Sequence, residues 1–249
     1  MSARCVFFVG GTRSGKSGMA QRWAEAVAPQ RLYLATCWAE DEEMARRVAR
    51  HQDMRGAGWQ CIEEPLNPAA ALDRLFAAVI QTGGVRALQA SSAVDCPTGP
   101  DVPEGPEGSE MSECPGGPEA AAPGVILLDC ISLWIANLLA RDQDEKAILR
   151  RVSALGERLA APPLPVAVVS AETGLGLVPM SPLGRAFNDV LGLANQELAR
   201  VCRHVVFVSC GLPLALKGAL PEEDVYKRQG PTCPRGRTGM PAAGCYGSS

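Results

Sequence analysis

Hydrophobic positions along this chain fall into short saturated runs separated by helical stripes. Cys5-Val-Phe-Phe-Val9 is apolar throughout, the pattern of a strand covered on both faces. Over Ser17–Val27, Met19, Trp23 and Val27 recur four apart, which predicts a helix with one buried face. A second strand is predicted over Arg31-Leu-Tyr-Leu-Ala-Thr36, then a charged helix from about Asp41 to Met54 and an amphipathic helix near Ala69–Ile80. The alternation resumes with the strand Val125-Ile-Leu-Leu-Asp129 and the apolar helix Ile131–Ala140. Two more strands are predicted over Val166-Ala-Val-Val-Ser170 and Val205-Val-Phe-Val-Ser209. Apolar strands alternating with helices imply an α/β fold, with a mainly parallel sheet covered by helices on both faces.

Two stretches break the pattern. Residues 83–124 are rich in Pro, Gly, Ser and Glu, with little apolar periodicity past Leu88. A stretch this long inside a compact domain is expected to be a disordered surface insertion. In the tail, Asp224-Val-Tyr-Lys-Arg-Gln229 matches the translation of a common transposon-adapter end. Residues 221–249 are therefore expected to be a non-native, disordered tail; resequencing the locus and finding this stretch intact would overturn that expectation. What remains, residues 1–220, is expected to form one domain interrupted at about 83–124.

Composition narrows the function classes. The chain has 249 residues, 47% hydrophobic and 20% charged, which suits a soluble globular protein with a sizeable core. Its 24 basic and 27 acidic residues give a net charge of −3, with no basic excess to attract nucleic acid or anionic lipid. No apolar run approaches the roughly 18 residues of a membrane span. The N-terminal run is too short for a signal peptide and ends in a glycine-rich loop. The ten cysteines include no C-x-x-C pair and no zinc spacing. Cys5, Cys130 and Cys210 fall with apolar strand runs, where thiols act as small hydrophobes, so reduced cysteines in a cytoplasm are expected.

The chemistry starts where the first strand ends. Gly10-Gly11-Thr12-Arg13-Ser14-Gly15-Lys16-Ser17 is G-x-x-x-x-G-K-S between a strand and a helix, the phosphate-binding loop of P-loop enzymes. Its glycines let backbone N–H groups curl around a polyphosphate, and the helix that follows aims its positive end at the same anion. Lys16 is expected to reach the β/γ-phosphates and Ser17 to ligate Mg²⁺. Asp129 closes an apolar strand, where a carboxylate either holds the metal or caps the next helix. Glu172 follows another strand, at the end where such sheets bind ligands. It is either an exposed turn residue or a group that orients a substrate hydroxyl or the metal. His51 lies on the charged helix, sharing a face with Met44 and Val48. It is either an ordinary helix-end histidine or a nucleophile that takes a nucleotidyl group, as neutral imidazole can near pH 7. His204, just before a strand, is expected to be structural.

Taken together, these motifs resemble the bifunctional adenosylcobinamide kinase/adenosylcobinamide-phosphate guanylyltransferase family of cobalamin biosynthesis. The resemblance is carried by the phosphate loop, Leu32-Tyr-Leu-Ala-Thr36, Asp41-Glu-Glu-Met-Ala-Arg-Arg-Val-Ala-Arg-His51 and Gly58-Trp59 with Glu63-Glu64-Pro65. It continues through Leu127–Asn137, Glu172-Thr-Gly-Leu-Gly-Leu-Val-Pro179, Pro182-Leu-Gly-Arg-Ala-Phe187, Asn195-Gln196 and Gly211-Leu-Pro213, covering about residues 4–82 and 125–217. It implies phosphorylation of the aminopropanol hydroxyl of adenosylcobinamide by GTP or ATP, then transfer of GMP from GTP onto that phosphate. The resemblance makes His51 the guanylylated residue. It also implies nucleotide contacts from Gly10–Ser17, Ala35, Thr36, Cys37, Gln52, Asp53, Met54, Arg55, Glu63 and Asp129, with Mg²⁺ on Ser17 and Asp129. A RecA-like phosphate-loop fold and a homotrimer are further implications. Where the family usually has Asn, this chain has Ala171, and the lost amide is expected to weaken substrate hydrogen bonding there, bearing on the kinase step more than on guanylyl transfer.

The competing readings lack their marks. A RecA-like nucleic-acid-dependent ATPase needs a basic, aromatic-studded surface, and aromatics are only 5% of this chain. A GTP switch needs a guanine-reading Asn-Lys-x-Asp, which is absent. A monofunctional P-loop kinase remains the enzymatic alternative.

Overall fold

A computed structural model of the chain describes residues 5–37, 58–82, 124–141 and 144–220. Its centre is a seven-stranded sheet in the order β3-β2-β4-β5-β1-β6-β7. The strands are β1 (Cys5–Gly10), β2 (Arg31–Ala35), β3 (Trp59–Glu63), β4 (Val125–Asp129), β5 (Val166–Ala171), β6 (His204–Ser209) and β7 (Leu212–Lys217). All pairings are parallel except β6 with β7. The helices are α1 (Lys16–Val27), α2 (Pro68–Thr82), α3 (Ile131–Leu139), α4 (Glu145–Ala160) and α5 (Pro182–Val201).

The saturated strand runs have their predicted cause. Every residue of β1 is buried, and its side chains divide between two cores. Cys5, Phe7 and Val9 face a core built with α2, α3, α4 and α5. Val6 and Phe8 face the other, where α1 packs through Met19, Ala20, Trp23 and Ala24. Helices therefore lie on both faces, four against one among the described residues. Phe8 and Trp23 meet at a ring-centroid distance of 6.3 Å, and the Trp134 indole N–H donates to Leu66 O at 2.9 Å, so both large indoles are anchored.

Helices α4 and α5 and strands β3 and β7 add to the elements the pattern predicts. Asp144 caps α4, accepting from Lys146 N, and Ser181 caps α5, accepting from Gly184 N, with Pro182 opening the helix. One expectation about cysteines is corrected. Cys210 is exposed in the β6–β7 turn with φ 53°, because the strand ends at Ser209 and the tight hairpin needs a left-handed residue there. Cys5 and Cys202 are buried with their sulfurs 2.8 Å apart, and this contact with burial pushes the Cys5 thiol well up. Residues 38–57, which include the expected charged helix, the insertion over 83–123 and the tail 221–249 lie outside the described residues. No described helix is long and apolar enough to cross a membrane.

Candidate active site at the carboxyl rim of the sheet

Parallel strands deliver their carboxyl ends to one edge, and the candidate residues lie along it in strand order. Glu63 ends β3, Ala35 ends β2, Asp129 ends β4, Glu172 follows β5 and Gly10 ends β1. At roughly 4.8 Å per strand spacing, the rim from β1 to β3 spans about 19 Å. The phosphate loop, Glu172 and Asp129 thus form one group, and Ala35, Thr36, Cys37 and Glu63 a second beside it.

The loop is held by its neighbours. A Cβ on Gly10 would strike Val208 O and come within 2.8 Å of Ser14 Oγ, so only glycine fits between the strands there. Gly15 has φ 94° and begins α1 with no side-chain cap. The first turn of α1 contains no acidic residue either. Its N–H groups therefore face the rim as a positive helix end with no internal anion. Lys16 folds its ammonium back to donate to Gly11 O at 3.1 Å. From the far side, Gly211 N donates to Ser14 O at 2.9 Å, tying the loop to the β6–β7 turn. Ser14 Oγ is buried and has no hydrogen-bond partner among the described residues. This is a preformed anion cradle with its cation in place.

Beside it, Asp129 is half-buried, and the Tyr33 hydroxyl donates to its Oδ2 at 3.1 Å. Among the described residues no Lys or Arg pairs with this carboxylate, which suits a cation ligand. Ser17, in the first turn of α1, is also partly accessible. A hydroxyl and a carboxylate are the oxygen donors that a magnesium ion takes. Glu172 lies between the loop and Asp129 in strand order. Its N–H donates to Gly10 O at 3.0 Å, and its Oε1 accepts from Gly174 N at 2.8 Å. Burial, with the nearby Asp129 charge, pushes the Cys130 thiol up to about 11.

Thr36 is fully buried, and its polar groups are turned inward. Its hydroxyl donates to Cys130 O at 2.6 Å and accepts from Cys130 N at 2.9 Å. Its N–H donates to Asp129 O at 3.2 Å. Thr36 is thus a brace between β2 and β4, beside the part-exposed Cys37. Sequence reasoning gave no individual role to the two amides that complete the bracing. Asn137 donates to Thr36 O at 2.8 Å and Pro65 O at 3.0 Å. Asn195 accepts from Ser170 Oγ at 2.7 Å and donates to Ala171 O at 3.0 Å. The available signal was an Asn in the buried stripe Leu191, Asn195, Leu198 of α5, since a polar side chain in an apolar stripe must find a partner. Thr12 and Arg13 are exposed at the loop's tip. His51, Gln52, Asp53, Met54 and Arg55 lie outside the described residues.

Comparison with known proteins agrees with this geometry. Residues 6–81 and 116–216 match the family described as cobinamide kinase / cobinamide phosphate guanyltransferase. The bifunctional adenosylcobalamin biosynthesis protein CobP of Pseudomonas aeruginosa is 35% identical over 210 residues, covering 84% of this chain and 95% of that protein. The bifunctional adenosylcobalamin biosynthesis protein CobU of Salmonella typhimurium is 30% identical over 227 residues, covering 85% and 99%. Its Escherichia coli counterpart of the same name is 29% identical over 227 residues, with the same coverage. A glycine-cradled anion site beside a strand-end carboxylate is what a nucleotide-dependent transferase of this kind needs, and the chain belongs to the cobinamide kinase / cobinamide phosphate guanyltransferase family.

Proposed function

We propose that this chain phosphorylates adenosylcobinamide with GTP or ATP and then transfers GMP from GTP to the product, giving adenosylcobinamide-GDP. The observation that carries the reading is the uncapped start of α1, with Lys16 folded over the loop and Asp129 two strands away. In the kinase step the substrate hydroxyl oxygen bonds to the γ-phosphorus as the bond to the β-phosphate oxygen breaks. Lys16 and the loop N–H groups steady the charge that builds on the phosphates. Ser17 and Asp129 would hold Mg²⁺, which supplies charge neutralisation at the phosphate oxygens. Glu172 orients the acceptor hydroxyl and takes its proton on Oε2, while Oε1 keeps the Gly174 N–H.

In the transferase step a neutral ring nitrogen of His51 bonds to the α-phosphorus of GTP and pyrophosphate leaves. The phosphate of adenosylcobinamide phosphate then displaces the histidine. Further GTP contacts are assigned to Ala35, Cys37 and Glu63 on the rim and to Gln52–Arg55, while the buried Thr36 holds the end of β2 in place. We place the enzyme in the cytoplasm as a homotrimer, with residues 1–220 as its one functional domain.

The test is incubation with labelled GTP and Mg²⁺ without corrinoid. Wild type should release pyrophosphate and retain GMP through an acid-labile, base-stable phosphoramidate. His51→Asn keeps size but lacks the nucleophilic nitrogen, and should lose label and guanylyl transfer while staying folded. Lys16→Ala should lose both activities. An unlabelled wild type, or an Asn variant that labels as well as wild type, would reduce the protein to a kinase; unchanged GTP turnover in a folded Lys16→Ala would refute the loop assignment.

A further inference from the structure

The segment between β5 and α5 presents Leu175, Leu177, Val178, Met180 and Leu183 to solvent at 79%, 96%, 78%, 97% and 60% exposure. Single exposed leucines are ordinary, but five in nine positions mark a contact surface. The segment is fixed at both ends. Glu172 Oε1 accepts from Gly174 N at one end. At the other, Arg185 Nη1 donates to Pro179 O at 3.1 Å and to Met180 O at 2.7 Å. Gly184 supports the same end, since a Cβ there would come within 2.8 Å of Pro179 Cβ. The apolar side chains are therefore held out by a built loop.

Its place and charge select the occupant. The segment leaves the rim directly beside the phosphate loop, where Glu172 N bonds Gly10 O at 3.0 Å. Residues 173–184 carry no charged side chain, whereas the rim on the other side of β5 carries Asp129, Glu63 and Glu64. A nucleotide is served by the cradle and the polar rim. The other substrate of the proposed reaction is a broad macrocycle edged with neutral amides, and its hydroxyl must meet a phosphate held by the loop. We infer that the 175–183 segment is the docking surface for the corrin ring, with its apolar side chains against the ring. This rests on the proposed function and deepens it by naming where the corrinoid sits.

The experiment compares wild type with Leu177→Ser/Met180→Ser, two side chains so exposed that the fold does not need them. The KM for adenosylcobinamide should rise at least about tenfold, with matching loss of direct corrinoid binding in equilibrium dialysis. Melting temperature and GTP affinity should stay at wild-type values. Ile80→Ser, on an exposed α2 site 72% accessible, should leave the corrinoid KM unchanged. Unchanged corrinoid KM in the double variant, in an active wild-type background, would overturn the docking surface alone. A change of oligomeric state in sedimentation with unchanged corrinoid KM would give the surface to a second copy and also overturn it. A wild type that neither binds nor phosphorylates adenosylcobinamide would overturn both the inference and the functional reading.

Discussion

A threonine hydroxyl donates one hydrogen bond and accepts others, and Thr36 uses both capacities on a single residue, Cys130. That pairing satisfies two buried backbone groups just after Asp129, so the carboxylate's position depends on a side chain from the neighbouring strand. Thr36→Val keeps the β-branched shape and strands both Cys130 groups. It should cost about 2 kcal/mol or more, since each unsatisfied buried group costs about 1–3 kcal/mol. Thr36→Ser keeps the hydroxyl and should recover most of that loss. Urea unfolding of the three proteins checks this; equal stability of the Val and Ser variants would mean the hydroxyl pair is not what holds the turn. Turnover should follow the same order, because the Val variant loosens Asp129 relative to the loop.

At the scale of elements, the glycines of the phosphate loop separate by what surrounds them. Gly10 is walled in by Val208 and Ser14, while a Cβ on Gly11 meets nothing within 4 Å. Gly10→Ala should therefore lower stability by about 1–3 kcal/mol, the range for overpacking, and displace the loop so that GTP binding falls with it. Gly11→Ala should melt with wild type. Calorimetry of the pair decides it, and equal melting temperatures would show that β1 and β6 can part at no cost. The sequence reveals the loop because its spacing is local, and it reveals the central strands because burial on two faces leaves saturated apolar runs. It hides the edges. β7 contains Pro213, which argues against a strand, and is accommodated only as the outermost one. The half-buried run Trp59–Glu63 is not apolar enough to mark β3. The bracing by Asn137 and Asn195 was equally hidden, because their partners Thr36, Pro65, Ser170 and Ala171 come from other elements.

At the scale of the whole molecule, residues outside the described set separate α2 from β4, and the start of β4 is fixed locally. Gly124 N donates to Gln30 O at 2.9 Å, and Val125 pairs in register with Arg31, so β4 takes its place from the α1–β2 turn. The family match also stops at residue 81 and restarts at 116, leaving most of the intervening stretch outside the shared sequence. We propose that the domain is complete without it. Replacing 90–123 by a short Gly/Ser linker keeps every described residue of both cores and shortens the loop that folding must close. Each halving of a flexible loop recovers about 0.6 kcal/mol of closure entropy, so the shortened protein should melt at or slightly above the wild-type temperature. Deleting 221–249 likewise keeps every described core residue and should leave the melting temperature unchanged. Both truncated proteins should still turn over GTP, since the phosphate loop, Asp129 and Glu172 all belong to what is kept. A fall of several degrees in either variant would show that the removed segment packs on the domain, and the boundary at 220 or the interruption after 82 would have to be redrawn.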